Sequence, residues 1–144
     1  MIKIFEAVPN ISEGRDKKKL AHLIAEVEKI PGIKILDLSS DVDHNRSVLT
    51  FIGTAEGVRS AILTLVAKAK ELLDIRVHKG IHPRVGIVDV LPIIPVLNSI
   101  MAEAINLAHE IGEGIESRFK IPVYYYGEAA KDEKYRILAN IRRE

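Results

Sequence analysis

The apolar residues of this chain follow two different periods in turn. Ile2–Val8 and Ser47–Ile52 alternate with period two, as half-buried strands do. Leu20, Leu23, Ile24, Val27 and Ile30 fall on one face of a helix over Lys17–Ile30. Such switching confines the chain to folds that pack helices on a sheet. With Ile33–Leu38 as second strand, a helix capped by Thr54 and running to about Leu72, and Ile87–Leu91 as fourth strand, the order is βαββαβ. That order matches the ferredoxin-like plan, a mainly antiparallel sheet with helices on one face. A further helix over Ile100–Phe119, capped by Ser99, a strand over Val123–Tyr126 and a helix over Asp132–Arg142 would add αβα. The class expected is α+β.

Asp16 is positioned to cap the first helix, and Pro31-Gly32 to end it. Pro9-Asn10 ends the first strand in this reading, Ser39–His44 is a polar loop, and Pro92 and Pro95 break regular pairing. The 144 residues carry no Gly/Ser linker or repeat, so 1–144 reads as one domain.

Composition narrows the functions. Without cysteine there are no disulfides, thiolate metal sites or thiol catalysis. With 21 Lys+Arg against 20 Asp+Glu, the chain lacks the basic excess of a duplex-DNA binder. Glu6 interrupts any signal-peptide core, and the apolar stretch Val85–Val96 contains Asp89 and two prolines. A soluble, cytoplasmic protein without membrane or nucleic-acid partners is the expectation. No GxGxxG or GxxxxGK[ST] pattern occurs, so a nucleotide cofactor is not indicated.

Four polar clusters interrupt the apolar elements: Asn10-Ile11-Ser12-Glu13-Gly14-Arg15, Asp41-Val42-Asp43-His44-Asn45-Arg46, His78-Lys79-Gly80-Ile81-His82-Pro83-Arg84 and Tyr126-Gly127-Glu128. In the ferredoxin-like plan the first and third strands are central antiparallel neighbours. The first two clusters should then share one edge of the sheet. His78 and His82 are spaced to bind a metal from a helix, but Gly80 and Pro83 oppose a helix there, and no metal is expected. A loop histidine instead suits acid–base work near neutral pH. Arg15, Arg46, Lys79 and Arg84 sit in loops, where they either bind a carboxylate-bearing small molecule or pair with Glu13, Asp41 and Asp43. Tyr124, Tyr125 and Tyr126 would alternate faces in a strand, with packing favoured over ligand stacking. His22 and His109 read as structural or surface residues.

The runs Val8–Arg15, His44–Gly53, His78–Gly86 with Asp89, and Pro122–Ala130 resemble, in order and spacing, the N-terminal subdomain of glutamate formiminotransferase. The resemblance covers essentially the whole chain. It implies transfer of a formimino group from N-formiminoglutamate to N5 of tetrahydrofolate, the co-substrate, in histidine breakdown. Formyl transfer is implied for some members. His82 corresponds to the family's catalytic histidine. Asn10, Ser12, Arg15, Asn45, Arg46, His78, Lys79, Arg84, Tyr126, Gly127 and Glu128 would hold the substrates. The family pairs this subdomain with a second one across the folate cleft, so the chain is expected to need a separate C-terminal subdomain chain, or to associate as a homodimer. At Ser39 some members carry an acid proposed to assist the histidine, and Asp41, Asp43 or His44 are the candidates to replace it. A non-catalytic module binding folate or an amino acid is the alternative. A metal hydrolase using His44, His78 and His82 is a weaker third reading.

Overall fold

The computed structural model describes residues 1–72, 88–125 and 129–130. Its elements are β1 (Ile4–Ala7), β2 (Asn10–Ile11), α1 (Lys17–Glu28), β3 (Ile33–Asp41), β4 (Arg46–Gly53), α2 (Ala55–Leu72), β5 (Val88–Val90), β6 (Ile93–Leu97) and α3 (Met101–Phe119). Every pairing within the sheet is antiparallel.

Six strand segments make four rows. β1 and β2 both pair with β4, so the chain resumes its row after Val8-Pro9. β6 pairs with β1 and β5 with β2, forming the outer row on one side. β3 pairs with the other side of β4. In chain order the rows lie 4-1-3-2, with the first and third central, as the ferredoxin-like reading requires.

Three sequence expectations need correction here. Pro9-Asn10 interrupts the first row without ending it: Pro9 O accepts the Leu49 N–H, and Asn10 pairs with Val48. Pro95 sits inside β6, opposite Phe5, in an outer strand where a missing N–H is tolerated. β3 continues to Asp41, so the loop expected over Ser39–His44 shrinks to a tight turn. Its register slips once, between Ile35 and Asp37.

Strand alternation decides where the core sits. On β4, Ser47, Leu49, Phe51 and Gly53 are buried, while Arg46, Val48, Thr50 and Ile52 are partly exposed. Phe5, Ala7 and Ile11 join the buried face. Leu23 and Val27 of α1, Val58, Ala61, Ile62 and Leu65 of α2, and Leu107 and Ile111 of α3 pack onto it. α2 is the middle helix, against α1 on one side and α3 on the other. Burying Phe51 alone stabilises by roughly 1.5–3 kcal/mol.

The helix starts show which cap expectations held. Asp16 Oδ1 accepts the Lys18 and Lys19 N–H groups, each at 3.1 Å. Thr54 Oγ1 accepts the Gly57 N–H at 3.1 Å. Ser99 does not cap α3. Its hydroxyl donates to Ile4 O and accepts the Val96 N–H, tying the helix approach to β1 and β6. Glu103 closes the helix start instead, accepting the Ile100 N–H.

Val123, Tyr124 and Tyr125 form no strand, contrary to expectation. Glu116 takes the Val123 N–H through its side chain, in place of a strand neighbour. Tyr125 lies over Gly112, where a Cβ would come within 2.4 Å of its hydroxyl. The expected helix over 132–142 lies outside the described residues. No helix among the described residues is long and apolar enough to cross a membrane.

Candidate functional site

The edge of the sheet where β2 ends and β4 begins joins the first two polar clusters. Ser47 is fully buried on the core face of β4 and donates its hydroxyl to Glu13 O at 2.5 Å. Its Oγ also lies 2.8 Å from that of Ser40, across the strand pair. A buried hydroxyl needs such partners, because leaving one unmade costs about 1–3 kcal/mol.

From there the chain passes close under the β3–β4 turn. The Gly14 N–H donates to Asn45 Oδ1 at 2.9 Å. A side chain at residue 14 would bring its Cβ to 2.5 Å from Arg46 N and Asp41 O. Arg15 Nε donates to Val42 O at 2.7 Å and its Nη2 to Asp43 O at 3.3 Å. Glu13 Oε2 accepts the N–H groups of Arg15 and Asp16, both at 3.0 Å. Asn45 adopts φ 50°, a left-handed conformation that asparagine tolerates.

These contacts sort the sequence-derived residues. Arg15 holds backbone carbonyls of the turn and Asn45 holds the Gly14 amide, so both build the scaffold. Ser12 is buried beside them, 4% exposed. Asn10 donates its amide to Val8 O. By register, Asn10 shares the helix-free face with Val48 and Val90, and Arg46 shares it with Asp41. His78, Lys79, His82, Arg84, Tyr126, Gly127 and Glu128 lie outside the described residues.

Two residues flanking the fourth cluster are tied to α3. His109 Nε2 donates to Ala129 O at 2.8 Å, and its ring meets Tyr125 edge-on at 4.7 Å. These contacts give His109 a structural role, one of the two that the sequence left open.

Register also divides the helix-free face. Toward the edge holding the clusters it carries Asp37 opposite Thr50, Ser39 opposite Val48, and Asp41 opposite Arg46. Toward the other edge it carries Ile4, Ile52 and Ile94, crossed by Lys34 and Glu6. Val96 and Leu97 extend that apolar part, each 53% exposed. A polar half and an apolar half thus share one sheet surface. Sequence reasoning missed Ser40, Ser47, Asp37 and Thr50. Strict alternation along β4 was the available signal for Ser47, since it sets a hydroxyl in the row of Leu49 and Phe51.

The turn itself holds an acid–histidine pair. Asp41 Oδ1 accepts the His44 backbone N–H at 3.1 Å, and its Oδ2 lies 2.5 Å from His44 Nδ1. The His44 amide, and after it the ring, hold the Asp41 carboxyl below the usual carboxylate range. A lowered folded-state pKa contributes stability above the unfolded value, lost as pH falls through the folded one. Asp41→Asn should therefore narrow the loss of thermal stability on acidification below about pH 4. Parallel melting curves of both proteins at pH 7 and pH 3 check this.

The comparisons match what the clusters imply. The sequence profile of the formiminotransferase domain, N-terminal subdomain, matches residues 4–144. This chain belongs to the formiminotransferase family. It is 42% identical over 142 residues to the formimidoyltransferase-cyclodeaminase of Gallus gallus, covering 99% of this chain and 26% of that protein. It is 36% identical over 143 residues to the glutamate formimidoyltransferase of Streptococcus pyogenes serotype M1, covering 99% of this chain and 48% of that one. The Thermoplasma acidophilum glutamate formimidoyltransferase is also 36% identical, over 98% of this chain and 46% of its own length. The chain spans between about a quarter and a half of these relatives. In this formiminotransferase subdomain two of the runs that carry the resemblance, Val8–Arg15 and His44–Gly53, interlock at the sheet edge.

Proposed function

We propose that this chain forms the N-terminal half of a glutamate formiminotransferase site, moving the formimino group of N-formiminoglutamate to N5 of tetrahydrofolate. The observation that carries this reading is the interlocked edge of Glu13–Arg15 and Val42–Ser47, beside a polar sheet face, in a chain of this family. The names of the relatives, glutamate formimidoyltransferase among them, support the reaction class.

The reaction forms a bond from folate N5 to the formimino carbon and breaks the bond from that carbon to the glutamate nitrogen. N5 must lose a proton and the glutamate nitrogen must gain one. His82 is the acid–base residue in this reading. Arg46, Lys79 and Arg84 hold the carboxylates of formiminoglutamate and of the folate tail. Asn10, Ser12, Arg15, Asn45, His78, Tyr126, Gly127 and Glu128 complete or support the substrate surface.

The apolar half of the helix-free face, with Ile94, Val96 and Leu97 exposed, supports a protein partner. In this reading the partner is a second α/β subdomain that completes the folate cleft, and a lone chain pairs as a twofold homodimer.

The test is an assay with N-formiminoglutamate and tetrahydrofolate, with and without a C-terminal subdomain supplied as a separate chain. The chain alone should be dimeric by light scattering and nearly inactive, and should gain transfer activity with the second half. Robust turnover by the chain alone would overturn the half-site assignment. Folate binding without transfer in the combined sample would favour the non-catalytic binding module.

A further inference from the structure

We propose that the open edge of β3, with α1 packed beside it, is a twofold contact between two copies of this chain, the two β3 strands pairing antiparallel about the Ile35–Leu36 bulge. The contact is separate from the transfer chemistry and from the helix-free face, which it leaves open for the second subdomain.

β3 offers the edge. It runs for nine residues, and among the described residues it pairs on one side, with β4. A strand with one free side presents N–H and C=O groups ready to take another strand. Leu36 and Leu38 stand along it 50% and 38% exposed. Among the described residues neither Lys34 nor Asp37 joins an ion pair.

The strand is complementary to itself. Its register to β4 slips between Ile35 and Asp37, so its two faces mirror each other about that slip. On the helix-free face Lys34 lies opposite Ile52 and Asp37 opposite Thr50. On the helix side Ile33 lies opposite Gly53 and Leu38 opposite Leu49. A twofold axis between Ile35 and Leu36 therefore sets Lys34 against Asp37 of the second copy, and Ile33 against Leu38 of that copy. Cation meets anion and apolar meets apolar, and symmetry makes each pairing twice. A bulge facing a regular strand interrupts the ladder. With the same bulge on both strands, the residue count on the two sides of the axis stays equal. A register centred on Ser39 also matches the faces, but it sets Asp37 against Asp41 of the copy, two like charges.

α1 carries the same symmetry. Its first turn holds Lys17, Lys18 and Lys19 with no acid, and Glu26 and Glu28 stand near its end. These charges oppose the helix's own dipole, a cost that an antiparallel neighbour with the same sequence relieves. Glu26 lies on the flank toward Lys68 of α2. At about 100° per residue, Lys17, Ala21, Ile24 and Glu28 line the opposite flank, away from α2. About an axis between His22 and Leu23, Lys17 meets Glu28 of the copy and Ala21 meets its Ile24. That centre lies about 8 Å back along the helix from Glu28, and the strand centre lies about 8 Å beyond Ile33. Residues 29–32 join the two elements in a short turn, and α1 packs on β3, so the two centres stand level. One axis serves both.

The experiment measures the size of the full chain by light scattering across a concentration series. The wild type should be a dimer at micromolar concentration. Lys34→Asp and Asp37→Lys each set like charges together on both sides of the axis, and each should weaken dimerisation by about tenfold. The double variant restores the pairing with the signs exchanged, and should return to within about threefold of wild type. Should a charge variant fail to fold, cross-linking decides. The chain has no cysteine, so Lys34→Cys chains mixed with Asp37→Cys chains should form a disulfide-linked pair on mild oxidation, and neither should do so alone. Adding the C-terminal subdomain should leave the dimer intact. A monomeric wild type, a dimer that both single charge variants leave unchanged, a missing mixed cross-link, or dissociation into one-to-one complexes with the second subdomain overturns the proposal.

Discussion

Gly14→Ala is expected to lower stability by about 3 kcal/mol or more, a fall in melting temperature of about 10 °C for a chain of this size. The added Cβ would stand 2.5 Å from Arg46 N and Asp41 O, and 2.7 Å from Arg46 O. All three are backbone atoms of Asp41, the last residue of β3, and Arg46, the first of β4, which pair beside the turn. They cannot rotate aside as a side chain would. Relief requires either opening the Asp41–Arg46 pair or lifting Glu13–Arg15 off the turn, which breaks the bonds from Gly14 to Asn45 and from Ser47 to Glu13. Gly114→Ala is the control. There the nearest atom is Leu63 Cδ2 at 3.2 Å, the end of a flexible side chain, and alanine improves helix propensity by up to about 1 kcal/mol. Thermal melts of the two variants should diverge, Gly14→Ala falling and Gly114→Ala holding or rising. A Gly14→Ala protein melting within about 2 °C of wild type would show that the two clusters do not depend on this close approach.

His82→Ala is expected to lower kcat of the assembled transferase by about 10³–10⁴-fold, with the melting temperature unchanged. The proposed reaction must move a proton away from N5 as the new bond forms, and alanine has no group to receive it. Positioning of the two substrates would survive, so KM should move far less than kcat. Steady-state assays of both parameters, beside a melt, separate chemistry from folding. A variant with near-normal turnover would remove His82 from the acid–base role. The two substitutions therefore fail differently: Gly14→Ala through assembly of the edge, and His82→Ala through the reaction itself.

Much of the fold was legible because local rules and tertiary packing agree. Asp16 and Thr54 cap their helices because the side-chain oxygen of each reaches N–H groups within its own first turn. The alternation of β4 survives because one of its faces is covered by helices and the other is not. The meeting of the first two clusters followed from strand order alone.

Where the reading went astray, a distant partner outweighed a local preference. Ser99 has the residue type of a cap, but Ile4 O takes its hydroxyl from 95 residues away. Pro95 has no N–H to give, yet it lies in β6, which among the described residues pairs on one side, with β1. Ser39–His44 is polar enough for a loop, but pairing with β4 carries β3 to Asp41. Arg15 looked available for a carboxylate, and it holds two carbonyls of a turn that is 27 and 28 residues away in sequence.

By itself the sequence determined the element types, the order of the rows and the motif runs that mark the family, since periodicity, caps and short motifs are encoded within a few residues of one another. The division of the helix-free face into polar and apolar halves came from strand register, which sets residues from β1, β3, β4 and β6 side by side. The commitment of Arg15 and Asn45 to the scaffold, and the grip of both Asp41 oxygens on His44, were decided only by tertiary structure. Which hydrogen bond a polar side chain makes depends on the backbone that folding brings within about 3 Å of it, and spacing along the chain does not contain that information.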